Sequence, residues 1–247
     1  MTKITCFILS LFLILSCSNG EDEKVNELMN KGTQFLDNKN YSSALVCFKD
    51  IQKHKQSEEQ QSKNYRNIAV VFLYMNEIDS AKYYSQMGFR CVDPSSYYHL
   101  LHKGEYYLLT NQVKKAISIF EKAKNIEPDE IEVYNNLSLI YAGNYGEQFF
   151  DLDLALKYAL KAYRIKKIPV NQEQLASVYF QKENFQKAAK LFKDLYENHP
   201  EAKIYQFNYG QSLYFMGKED QGIELMKNAA ERDEVCRKMF DKLVDVN

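Results

Sequence analysis

The stretch "GEYYLLTNQVKKAISIFEKAKNIEP", residues 104–128, decides the fold. Within it, "AISIFEKA" (116–123) begins on alanine, places Phe120 four residues on and Ala123 three residues later. Spacings of four and three put these side chains on one stripe of a helix. Twelve residues ahead of Ala116 stands Gly104, and three after it Tyr107. The stretch therefore reads as two helices. A small residue in each lets the pair approach closely, and an aromatic ring fills the groove beside them. The same pattern returns in "ALKYALKA" (155–162) and "AAKLFKDL" (188–195), with earlier copies starting at Ala44 and Ala81 and a later one at Gly222. Five of the six starts have a small residue twelve positions ahead: Gly32, Ala69, Gly104, Ala176 and Gly210. Each of these is followed three residues later by a bulky one: Phe35, Phe72, Tyr107, Tyr179 and Leu213.

Successive starts lie 33 to 39 residues apart. This resembles the tetratricopeptide repeat family, whose unit is about 34 residues of helix-turn-helix. The third unit matches through Gly104, Tyr107, Ala116, Phe120, Ala123 and Pro128; the fifth through Leu175, Ala176, Tyr179, Phe185, Ala188, Phe192 and Pro200. The resemblance implies an all-α fold, a right-handed α-solenoid of about six repeats at about 25–58, 62–95, 97–130, 131–168, 169–202 and 203–234. The amphipathic segment "VCRKMFDKLVDV", within 235–247, is expected to cap the open end. Looser packing is expected in the second unit, where Ser85 and Gly88 replace the usual large residue and alanine. It is also expected in the sixth, where Gly222 weakens the second helix by about 1 kcal/mol relative to alanine. The fourth unit, marked by Tyr134, Leu137, Tyr141 and Ala155, has a long turn, "GNYGEQFFDLD" (143–153). Insertions of this kind often map to a binding face; the alternative is that Phe149 and Phe150 tuck over the neighbouring unit.

The amino terminus has a different grammar. After Lys3 comes an apolar run, "FILSLFLIL" (7–15), about half of the roughly 20 residues a spanning helix needs. This is the layout of a secretory signal peptide, assigned to 1–16. The residues Ile14-Leu15-Ser16-Cys17 resemble the lipobox of bacterial lipoproteins. That resemblance implies cleavage before Cys17, acylation of its thiol, and a place in the bacterial cell envelope, anchored to the outer membrane on its periplasmic or surface face. Residues 17–24 then form an acidic tether, in which Glu21-Asp22-Glu23 resembles the surface-export tag of Bacteroidetes lipoproteins or serves as a solvated linker.

Composition narrows the function. The 32 basic and 33 acidic residues nearly cancel, so the total charge implies no polyanion and gives nucleic-acid binding no support. Only four prolines and nine glycines interrupt the chain, which favours helix. Beyond Cys17 three cysteines remain, Cys47, Cys91 and Cys236, an odd number and a poor disulfide framework. No dinucleotide fingerprint, phosphate loop, paired-histidine zinc motif or nucleophile elbow is present, so neither catalytic residues nor a cofactor are assigned. His99 and His102 share a helix face, but a metal needs more ligands than they supply, and no metal site is assigned.

Binding is the remaining class. In the family, first helices line the concave side of the stack. Side chains there that are not used within a repeat are Arg66, Asn67, Tyr74, Tyr98, Leu101, His102, Asn135, Asn136, Phe180, Phe207, Asn208, Gln211 and Tyr214. This aromatic and amide surface suits an extended peptide or a partner helix. Some members grip a chain-terminal carboxylate with lysine, asparagine and arginine; the matching positions here include Met29, Thr33, Leu101 and Glu105, so that clamp is not expected. The expected function is a lipid-anchored adaptor that binds other envelope proteins. The alternative is an accessory surface lipoprotein that binds a glycan or peptide in nutrient uptake, although sugar sites want exposed tryptophan or tyrosine platforms and the chain has no tryptophan.

Overall fold

The computed structural model describes residues 20–36 and 38–244, and all regular structure among them is helical. Residues 1–16 and Cys17 lie outside the described residues. The helices are α1 over 20–36, α2 (Tyr41–Ile51), α3 (Glu58–Tyr74), α4 (Ile78–Arg90), α5 (Tyr97–Leu109), α6 (Val113–Ile126), α7 (Ile131–Leu139), α8 (Leu152–Ile165), α9 (Pro169–Gln181), α10 (Phe185–Asn198), α11 (Lys203–Phe215), α12 (Glu219–Ala230) and α13 (Glu234–Val244). They form six helix pairs, α1/α2 to α11/α12, and α13 packs on α12 and α11. The chain divides between Ile126 and Glu127 into two compact units of three pairs each.

Local chemistry sets the helix starts. Asn40, Ser96 and Asn184 accept the backbone N–H three residues on. Ser57 and Gln60 form a reciprocal capping box, and Pro169 opens α9 at a position where its missing N–H costs nothing. The turns inside five of the pairs are alike. Lys39, Asn76, Asn111, Glu183 and Gly217 all have positive φ, between 57° and 81°. The residue after each donates its N–H to the carbonyl of Phe35, Phe72, Tyr107, Tyr179 or Leu213, at 2.7 to 3.0 Å. This is the left-handed C-terminal cap of a helix, closed by a six-to-one hydrogen bond.

The small residues sit where expected. Ala44, Ala81, Ala116, Ala155 and Ala188 are fully buried. A Cβ added at Gly32 would run into the Phe48 ring, and one at Gly104 into Phe120. In the first unit one cluster joins Val25, Phe48, Ile51, Ile68 and Val71. In the second unit clusters form around Leu175, around Phe192, and around Phe207 with Met226.

Two expectations need correction. The acidic tether of 17–24 is helical from residue 20, and Glu21, Asp22 and Glu23 lie in the first turn of α1. Carboxylates there complement the helix dipole, and Glu21 also meets His54 at 3.0 Å. The sixth unit is tight rather than loose: an added Cβ at Gly210 would lie 2.8 Å from the Gly222 carbonyl, and one at Gly222 2.7 Å from that of Gly210. Glycine there is the condition of a backbone-to-backbone approach. In the second unit, Gly88 leaves ordinary contact room, 3.4 Å to the Ser62 carbonyl.

In the fourth unit α7 runs into a π-turn, Ile140–Asn144, with Gly143 at φ 92° and Gly146 at φ 119°. Phe150 folds back on Gly143 and stays 55% exposed. Asp151 then caps α8 by accepting from the N–H groups of Asp153 and Leu154, both at 3.0 Å. Cys47 and Cys236 are buried and Cys91 half-buried, all as free thiols. Burial, reinforced by Asp233, pushes the Cys236 thiol up to about 12.

Candidate partner-binding faces

In the first unit, α3 and α5 place their outward residues together. Lys63 Nζ lies 2.6 Å from Glu59 and 4.6 Å from the centre of the Tyr98 ring. Burial pulls the Lys63 ammonium down, but its bonds to Glu59 and Tyr98 outweigh this and leave it raised. Burial pushes the Tyr98 hydroxyl up. Arg66 reaches across to α5 and donates twice to Glu105, at 2.7 and 2.8 Å. Asn67 reaches back to α1, 3.0 Å from the Met29 sulfur. Arg66 and Asn67 therefore link successive first helices. Tyr74 is 61% exposed and lies flat against Tyr41, ring centres 5.2 Å apart.

Leu101 and His102 are corrections: both are 2% exposed and belong to the interior. The position of His102 on α5 turns it towards α3 and α4. The Ser62 hydroxyl donates to the Gly88 carbonyl at 2.6 Å and accepts from His102 Nδ1 at 2.7 Å. Burial holds the His102 imidazole down at about 4; Glu105 pulls it up and Arg66 pushes it further down. His99 is engaged separately, donating from Nδ1 to the Phe89 carbonyl at 2.7 Å.

In the second unit, Asn135 donates to Asn171 at 2.8 Å, and Asn171 donates in turn to the Lys166 carbonyl at 2.7 Å. Gln174 donates to the Asn135 backbone carbonyl at 2.8 Å. This amide ladder ties α7 to α9. Asn136, Asn208 and Gln211 are half-buried. Phe207 is the third correction: it is 0% exposed, packed with Met226, Ala229 and Cys236 and roofed by Met239, Phe240 and Leu243. Tyr214 also packs against this cluster.

Phe180 belongs to a ring trio, 5.3 Å from Phe185 and 5.5 Å from Phe215, with Phe185 and Phe215 stacked at 5.2 Å. Phe215, 50% exposed, and Met216, 38%, extend this apolar surface, and sequence reasoning missed both. Their signal was available, since they directly follow Tyr214 at the end of the same helix. Glu173 was missed too. Burial raises its carboxyl, and burial together with this carboxyl pushes the facing Tyr205 hydroxyl up to about 12. Among the described residues no group of three or more His, Cys, Asp or Glu could hold a metal, and no helix is long and apolar enough to cross a membrane.

Residues 174–235, most of the last two pairs, match a tetratricopeptide repeat family model. No curated protein matches the sequence. Among solved structures, the chain is similar to TTC0263, a thermophilic tetratricopeptide repeat protein of Thermus thermophilus. The TM-score is 0.60 at 17% identity, over 76% of this chain and 98% of that one. It is also similar to pilF of Pseudomonas aeruginosa, with a TM-score of 0.57 at 15% identity, over 90% of this chain and 99% of that one. A third is YrrB, described as a tetratricopeptide repeat protein with an unusual peptide-binding site, with a TM-score of 0.52 at 18% identity, over 73% and 92%. At these identities the likeness is one of fold.

Proposed function

We propose that the chain, whose fold is an all-α solenoid like those of tetratricopeptide repeat proteins, is a protein-binding scaffold, held in a bacterial cell envelope by acyl groups on Cys17 and anchored to the outer membrane. The observation that carries the binding reading is the surface of the second unit. There the exposed ring of Phe215 on α11 meets the half-buried Phe180 of α9, with the half-buried amides Asn208 and Gln211 on α11 itself and Asn136 on α7, another first helix. Aromatic side chains supply contact area, and amides satisfy the backbone of an extended peptide. The peptide class is the one named for YrrB, carried over here as part of the proposal. The envelope location rests on the sequence Ile14-Leu15-Ser16-Cys17 behind its apolar run.

Two measurements test this. Mass spectrometry of the native protein should find an N-terminal, acylated Cys17; an unmodified mature terminus elsewhere removes the anchor. Pulldown from solubilised membranes should recover a protein partner that is lost on Phe215→Ala with Gln211→Ala while circular dichroism and Tm stay unchanged. Undiminished recovery moves the binding face elsewhere.

A further inference from the structure

The total charge of the chain hides its distribution. Residues 154–193 carry nine Lys and Arg against two Glu, a surplus of seven in a chain whose net charge is −1. All of it lies on the second unit. On α8, Lys157, Lys161 and Arg164 follow at four and three residues, one helix face. On α10, Lys187, Lys190 and Lys193 follow at three and three. Leu156, Leu160 and Tyr163 of α8 and Leu191 of α10 join one cluster around Leu175 and Val178 of α9, which ties the two helices together. Lys161, Lys182 and Lys193 spend their charge on Asp129 at 3.5 Å, Asp153 at 2.6 Å and Glu197 at 3.4 Å. Lys157, Arg164, Lys166, Lys167, Lys187 and Lys190 are exposed and pair with no carboxylate among the described residues. Three of the six lie over tyrosine rings at 5.0 to 6.0 Å.

We propose that this basic face of α8 and α10 docks on an anionic lipid surface. The choice of occupant follows from the chemistry of the patch. It is almost all lysine, a residue depleted in protein interfaces, and no aromatic anchor stands exposed between the charges. It therefore lacks what a desolvated protein contact needs. Single-stranded nucleic acid would ask for rings free to stack, and Tyr163 and Tyr179 are half-buried beneath lysines. A bilayer asks for neither: its headgroups are mobile, and clusters of four to eight Lys and Arg suffice to hold a protein near it. The preference for lipid over nucleic acid rests on the envelope reading proposed above. A basic patch in addition to an acyl anchor supplies the second of the two signals that stable attachment takes.

The test uses the full chain with Cys17→Ala, which cannot be acylated, and two vesicles, phosphatidylcholine alone and phosphatidylcholine mixed with phosphatidylglycerol. The apolar run at 7–15 contributes to both, so the anionic preference is the readout. Co-sedimentation should favour the mixed vesicles by about tenfold or more. That preference should disappear when salt rises from about 0.1 M to about 1 M and the screening length falls from about 10 Å to about 3 Å. Lys157→Gln, Arg164→Gln, Lys187→Gln and Lys190→Gln together should abolish it. The same number of changes at exposed Lys39, Lys55, Lys114 and Lys122 should leave it. Equal loss in both quadruple variants, or no anionic preference at all, overturns the proposal. So does tighter binding to a DNA duplex or to polyglutamate than to the mixed vesicles. A chain acylated at Cys17 in cells that shows no such preference sinks this inference and leaves the anchor standing.

Discussion

At His102 burial decides and charge only adjusts. The ring is held neutral at about 4, below the ordinary 6.5, between Ser62, the Gly88 carbonyl, Arg66 and Glu105. In the unfolded chain it titrates at the ordinary value. Between those two pH values the unfolded state therefore binds the extra proton, and stability rises with pH. The contribution is complete above about pH 6.5 and is lost as pH falls towards 4, about 3 kcal/mol in all. Thermal unfolding at pH 7 and pH 4.5 should show a fall in Tm that is several degrees smaller for His102→Gln than for the wild type. Equal falls would mean that His102 does not govern this acid sensitivity. The same residue shows where sequence reading failed. His102, Leu101 and Phe207 stand at groove positions of the repeat pattern, yet each is claimed by a neighbouring helix. The pattern says which residues a repeat does not use for itself. It does not say which of them a neighbouring repeat or the last helix takes.

Among elements, the helix pairs were legible because small and bulky residues recur at fixed spacing, and that spacing is enforced by contact: Gly32 under Phe48, Gly104 under Phe120. The turns were not legible as a repeat, because the five left-handed positions hold Lys39, Asn76, Asn111, Glu183 and Gly217, which share a conformation and no side-chain chemistry. This difference makes two opposite predictions. Glu183, at φ 58°, bears the cost of a Cβ in the left-handed region, and Glu183→Gly should raise stability by about 0.5–1 kcal/mol despite the looser unfolded chain. Gly222 lies within α12, where alanine would ordinarily gain about 1 kcal/mol. Its added Cβ would meet the Gly210 carbonyl and the Tyr214 N–H nitrogen, both at 2.7 Å, and backbone cannot step aside as a flexible side chain can. Gly222→Ala should therefore lower stability by about 1–3 kcal/mol. Urea titration of the two variants checks both signs, and a stabilised Gly222→Ala would mean that α11 and α12 do not approach as described.

On the scale of the whole molecule, a stack of repeats is held by nearest neighbours, so an end must be closed by something that no further repeat covers. At the carboxyl end that element is α13. Cys236 is fully buried, and Met239, Phe240 and Leu243 pack over Phe207 and Met226, which are themselves 0% exposed. Without α13 the outer side of α11 and α12 would face water with a phenylalanine and a methionine uncovered. Fully burying such side chains contributes about 1.5–3 kcal/mol each, so the last pair would lose a large part of its hold. Nearest-neighbour coupling also says how far the damage travels. The clusters around Leu175 and Phe192 contain no residue of α12 or α13 and keep their own contacts. Ending the chain after Asp233 should therefore raise amide hydrogen exchange throughout α11 and α12, raise it less in α10, and leave α5 and α6 of the first unit at their original protection. Uniform loss of protection along the chain would show that the stack unfolds as one cooperative block. Unchanged protection in α11 and α12 would show that α13 caps nothing.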